Sequence, residues 1–86
     1  MSKGKIKDML AQLYAEIDKT EADEADQAKL DEIKNHMQQV MDEPDADHHQ
    51  TLRERLQESA VHFEVDHPSL SEAMKMTVNG LSSIGI

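Results

Sequence analysis

Apolar residues recur at intervals of three and four in four separate runs, and polar segments carrying Pro or clustered acids divide the runs. Such intervals hold side chains on one stripe of an α-helix, so the chain is restricted to helices that each bury one face. The first run is Ile6, Leu10, Leu13 and Ile17, widened by Met9 and Tyr14, and predicts a helix over about 4–19. The second is Leu30, Ile33, Met37 and Val40, with Met41 beside it. It predicts a helix over about 22–42, for which Thr20 and Asp23 are alternative N-caps. The third run is Leu52, Leu56, Ala60 and Phe63, with Ser59 and Val61 nearby. It spans about 47–64 and takes Asp45 or Asp47 as its cap. The fourth is Leu70, Met74, Val78, Leu81 and Ile84, over about 69–84. Ser69-Leu70-Ser71-Glu72 at its start has the form of a capping box. Met37 and Met74 fall on the stripes and are expected in the core, whereas Met76 falls off its stripe and is expected at the surface. No run alternates with period two, so no strand is expected.

The breaks are short. Pro44 and Pro68 both disfavour helix at the residue before them. Short links force consecutive helices to run oppositely, so the expected architecture is all-α: an antiparallel bundle of four amphipathic helices, one domain over 1–86. Gly80 weakens the fourth helix and is expected to mark a close helix–helix contact. Gly85 suits the left-handed position past a helix, which would place Ile86 over Leu81 in a Schellman ending.

Composition limits what this bundle can be. The chain has 86 residues, and its apolar side chains are seven Leu, five Ile, four Val and six Met, with one Phe, one Tyr and no Trp. Its core is therefore thin, and self-association would add buried area. There is no Cys, which excludes a disulfide framework, a thiolate zinc site and a thiol nucleophile. The net charge is −9 and is unevenly spread. Residues 21–47 hold ten acids against two Lys, whereas residues 1–20 hold three acids against four Lys. A negative field of this kind repels phosphate backbones, so nucleic acid is not an expected partner. The basic start, Met-Ser-Lys-Gly-Lys-Ile-Lys, is followed by no apolar run, and no stretch approaches the roughly 20 apolar residues of a membrane span. A cytoplasmic setting without membrane attachment is expected.

The stretch Phe63-Glu64-Val65-Asp66-His67-Pro68-Ser69-Leu70, followed by Val78 and the ending Leu81-Ser82-Ser83-Ile84-Gly85-Ile86, resembles a family of short bacterial proteins, domain of unknown function 4404. Leu10-Ala11-Gln12-Leu13-Tyr14-Ala15-Glu16-Ile17 fits the same pattern. The resemblance covers most of the chain and implies a bacterial origin and a helical fold. It implies no activity. The middle of this chain is richer in His than the family pattern, and no role carries over onto those residues.

Five His stand in the chain: His36, His48, His49, His62 and His67. The densest group of metal-ligating types is Asp45, Asp47, His48 and His49, which suits zinc, nickel or copper by ligand chemistry. These residues are near neighbours in a loop or first helical turn and point in different directions, so the expectation is no physiological metal and no cofactor. Glu64-Val65-Asp66-His67 has di-iron spacing but occurs once, and Glu32 and His36 are four apart instead of three. A calcium loop from Asp45 fails at Gln50 and Leu56. For His67, beside Pro68, hydrogen bonding within the turn is the better reading. No nucleophile–base–orienter set and no Gly-rich phosphate loop can be named. The expected function is a non-enzymatic interaction or scaffold protein, working through self-association or an unidentified protein partner. Two alternatives stand beside it: an acidic regulator seated on a partner's basic surface, and a weak His/Asp metal binder.

Overall fold

A computed structural model describes the backbone of residues 2–43 and 45–84 and the side chains of residues 6–43 and 45–83. Four helices follow one another: α1 (Ser2–Lys19), α2 (Glu24–Asp42), α3 (Ala46–Phe63) and α4 (Pro68–Ile84). They are linked by segments of three or four residues, and the described residues contain no strand. Each helix, at 17 to 19 residues, is about 27 Å long. They stand side by side in an antiparallel bundle of 35 × 19 × 19 Å. Helix α4 packs on α3 and α1, and α2 packs on α3 and α1. The backbones of α2 and α4 do not approach within 8 Å, and the two helices occupy opposite corners of the square.

The four stripes meet at the centre. Ile6, Leu10, Leu13 and Ile17 of α1 face Leu30, Ile33, Met37 and Val40 of α2, Leu52, Leu56, Ala60 and Phe63 of α3, and Leu70, Met74, Val78 and Leu81 of α4 in one buried cluster. Each large aliphatic side chain buried here contributes about 1.5–3 kcal/mol. Met9 packs on this cluster from its edge. Tyr14 does not: its ring stays 40% exposed, with the Lys34 ammonium 4.9 Å from its centroid. Met41 and Met76 are also exposed. At Gly80 an added Cβ would overlap Sδ of Met9, so this glycine is where the edge of α1 closes on α4, as the sequence suggests. Ile84 lies on the predicted stripe, but its side chain is outside the described residues, as are Pro44 and the Gly85–Ile86 ending.

The helix ends settle the open choices of cap. Asp23 has extended backbone and its carboxylate accepts from the Asp26 amide at 2.9 Å. Thr20 instead turns back, its hydroxyl donating to the Glu16 carbonyl at 2.8 Å, so it closes α1. Asp45 caps α3 through the His48 amide at 2.8 Å. The capping box expected at Ser69 is absent. Helix α4 starts one residue earlier, at Pro68, because proline has the right φ and no amide to orphan at the first helical position. The His67 carbonyl then accepts the first helical bond, from the Ser71 amide at 3.0 Å, and Ser69 stays exposed within the first turn.

Candidate interaction surface

The outward arc of each helix differs in chemistry. Helix α4 carries two charged residues, Glu72 and Lys75, which cancel. Its exposed positions include Ser69, Glu72, Met76, Asn79 and Ser83. Their spacing of three, four, three and four makes a second stripe, facing away from the buried one. Met76 is 65% exposed at the middle of it. A groove runs along each side. Toward α1, about 270 Å³ is lined by Met9, Leu13, Ala73 and Met76 together with Gln12, Glu16 and Thr77. Toward α3, about 230 Å³ is lined by Gln57, Ala60, Val61, Lys75, Val78 and Asn79, and Val61 there is 69% exposed. This side sets methionine and valine among small polar residues, with Glu16, Glu72 and Lys75 as its charges.

The α2 corner is opposite in character as well as in position. Its exposed residues include the acids Glu24, Asp31 and Asp42, and Glu21 and Glu43 are exposed at its two ends. Polar contacts tie this corner to α1 and α3. Lys34 bonds Asp18 of α1 at 2.7 Å, and this carboxylate holds the Lys34 pKa above its usual value. Arg55 of α3 reaches Glu32 at 3.0 Å, and His62 meets Asp26 at 2.8 Å. At the end of the bundle, Glu16, Lys19, Glu21, Asp66 and His67 border a wide cleft of about 440 Å³. Here the His67 ring rests against Phe63, 5.8 Å between centroids. The hydrogen bond into this turn comes from the His67 backbone amide, which donates to the Phe63 carbonyl at 2.8 Å.

The four candidate metal ligands are drawn into separate local tasks. The Asp45 carboxylate serves as a helix cap. Nδ1 of His48 donates to the Glu43 carbonyl at 2.7 Å. This bond, with Asp45, Glu43 and Asp47 close by, raises the His48 pKa above its ordinary 6.5. His49 points into the bundle, 1% exposed, with Nδ1 donating to the Asp45 carbonyl at 2.7 Å. Asp47 faces solvent. Elsewhere, Glu32 and His36 stand 3.9 Å apart, with Arg55 on the same carboxylate oxygen. Among the described residues no group of three or more His, Asp or Glu side chains is placed to hold a metal ion. Nor is any helix long and apolar enough to cross a membrane.

Among the described residues three buried polar side chains escape the apolar pattern: His49, Ser71 and Thr77. Thr77 returns its hydroxyl to the Ala73 carbonyl at 2.9 Å, an ordinary within-helix bond. Ser71 bonds across to α3. A family model described as a domain of unknown function (DUF4404) matches residues 6–86, nearly the whole chain. No curated protein matches, and no solved structure does.

Proposed function

From the premise that this chain belongs to the domain of unknown function 4404 family, whose description assigns no activity, we propose that it is a non-enzymatic interaction protein that docks through α4. One observation carries the reading: in a chain of net charge −9, α4 carries no net charge of its own and holds Met76 in solvent between two apolar-edged grooves. Exposed apolar side chains rimmed by polar ones are what protein contacts use. Methionine suits such a surface because its thioether stem adapts to the shape it meets. The reading keeps the expectation of a bacterial, cytoplasmic chain.

The test is photo-crosslinking in the host cell. A photoreactive residue at position 76 should give a discrete, reproducible crosslinked protein product, and the same residue at position 35 on α2 should not. No product from position 76, at matched expression and exposure, would sink the reading. A second reading, the acidic regulator on a basic surface, draws support from exposed Glu21, Glu24, Asp31, Asp42 and Glu43. It expects the reverse pattern, with product from position 35.

A further inference from the structure

Resting on that interaction reading, we propose that the occupant of the α4 side is a second copy of this chain, joined to the first about a two-fold axis that passes near Met76.

Charge decides which sides of two such molecules can meet. Each copy carries −9, so contact through most faces sets like charges against one another. On α4 itself, by contrast, Glu72 and Lys75 sum to zero, and Lys75 also meets Glu64 at 3.6 Å. The acidic α2 lies at the opposite corner. Contact through α4 therefore turns both α2 helices outward. Each bundle is 19 Å across, so the two acidic faces are held apart by more than the Debye length of about 8 Å at physiological salt. A basic partner would be drawn to α2, not α4. The other exposed apolar groups are less suited to a second copy. Tyr14 is under the Lys34 ammonium, Met41 stands next to Asp42 and Glu43, and Val65 is in the turn between Glu64 and Asp66.

Self-complementarity follows from the register of the stripe. A two-fold contact is isologous: where one residue meets a second across the axis, the second meets the first, and only a residue on the axis meets its own image. With antiparallel α4 helices centred on Met76, Met76 meets the partner's Met76. Glu72 then falls beside the partner's Gly80, Asn79 beside the partner's Ala73, and Ser69 beside the partner's Ser83. Along α4 itself no like charges are opposed. Ala73 and Gly80, each about one turn from Met76, leave room beside the central methionines. The grooves beside each α4, edged by Met9 and by Val61, give the paired methionines somewhere to lie.

The size is also suitable. A stable contact of ordinary extent takes about 800 Å² from each partner. That is roughly 15% of the 5410 Å² this chain exposes. It is comparable with one whole side of a bundle measuring 35 × 19 Å, so the contact has to include both grooves as well as the ridge of α4.

Sedimentation equilibrium of the purified, untagged full chain tests this. The expected mass is about 19 kDa, twice the 9.7 kDa chain. Met76→Glu should weaken the dimer at least about tenfold, as loss of a central contact does. Met41→Glu, which adds the same charge on the far side, should leave it intact. Because the chain has no cysteine, Met76→Cys gives an independent readout: it should oxidise to a disulfide-linked dimer far faster than Met41→Cys. A 9.7 kDa species at high micromolar concentration would overturn the proposal. So would a dimer that Met76→Glu leaves intact while Met76→Cys oxidises no faster than Met41→Cys. A monomer in solution combined with a heterologous crosslink from position 76 in cells would overturn the second copy while leaving the interaction reading standing.

Discussion

The Ser71 hydroxyl, buried in α4, donates a 2.6 Å hydrogen bond to the carbonyl of Ala60 in α3. The bond answers a need created by the end of α3. The Glu64 amide, which would cap Ala60 in a longer helix, turns instead to the Val61 carbonyl at 3.4 Å. The Ala60 carbonyl is thereby one of the orphans that every helix C-terminus leaves, and Ser71 satisfies it from the neighbouring helix. The bond also fixes the register of α4 against α3 just after the turn. Ser71→Ala should destabilise the fold by about 1–3 kcal/mol, the cost of leaving a buried carbonyl unmet. In a chain of this size that lowers the melting temperature by very roughly 5–20 °C. Thermal unfolding by circular dichroism checks it; a variant melting with the parent would show that water replaces the hydroxyl.

Gly80 and Met9 set a second test, in which the sign depends on a neighbour. Alanine is favoured over glycine within a helix by up to about 1 kcal/mol. At Gly80, however, the new methyl would displace the Met9 thioether, whose far end can move only by giving up packing against the core. Gly80→Ala alone should therefore be close to neutral. In a Met9→Ala background the obstruction is gone, and Gly80→Ala should stabilise by about 0.5–1 kcal/mol. Urea unfolding of the four members of the cycle reads the difference. Equal effects in the two backgrounds would mean that the two side chains do not compete for space.

The buried stripes were legible in the sequence because aliphatic residues at helical spacing have one efficient way to leave water. Leu10, Leu30, Leu52 and Leu70 are each at most 1% exposed. The apolar period could not find Ser71 or His49, since a polar residue beside a stripe is buried only if a partner waits there. That partner was a carbonyl of another helix for Ser71, and the carbonyl four residues back for His49. The start of α4 was misplaced by one residue because a serine capping motif and a proline competed, and the proline's fixed φ took the first helical position. Tyr14 looked apolar by letter and proved amphipathic in place, its ring under Lys34. The candidate surface was half legible: Met76 was expected to be exposed, but only the packing order shows that α4 lies diagonally from α2.

His48 should give the fold a defined pH dependence. Its Nδ1–H donates to the Glu43 carbonyl, which raises its pKa in the folded state above the ordinary 6.5. A group raised on folding contributes stability in full below its unfolded value, and that contribution fades as pH rises through the folded value. The gap in urea midpoint between the parent and His48→Gln should therefore be widest below about pH 6 and shrink steadily at alkaline pH. Measurements at pH 5.5 and pH 8.5 are enough to decide. A gap that widens toward alkaline pH would mean that the contact with Glu43 does not favour the charged ring.

His49 makes the sharpest prediction about metal. Its ring is 1% exposed, Nδ1 is committed to the Asp45 carbonyl, and Nε2 is buried with no hydrogen-bond partner. Since a carbonyl only accepts, Nδ1 carries a proton, and Nε2 faces the core without a partner. To join His48 on an ion, His49 would have to leave the bundle and vacate space between the helices. Tag-free protein should accordingly carry less than one zinc, nickel, copper or iron per chain by elemental analysis, and added zinc should not raise its melting temperature. Substitution separates the packing role from a ligand role. His49→Leu gives up one hydrogen bond of about 1 kcal/mol but also removes an unmet buried nitrogen, so its stability should fall within about 1 kcal/mol of the parent. His49→Asp places a carboxylate in the same apolar site and should cost about 3 kcal/mol or more. One metal per chain, lost when His48 and His49 are both replaced, would show that the imidazole leaves the core to bind it, and would restore the metal-binding reading of this segment.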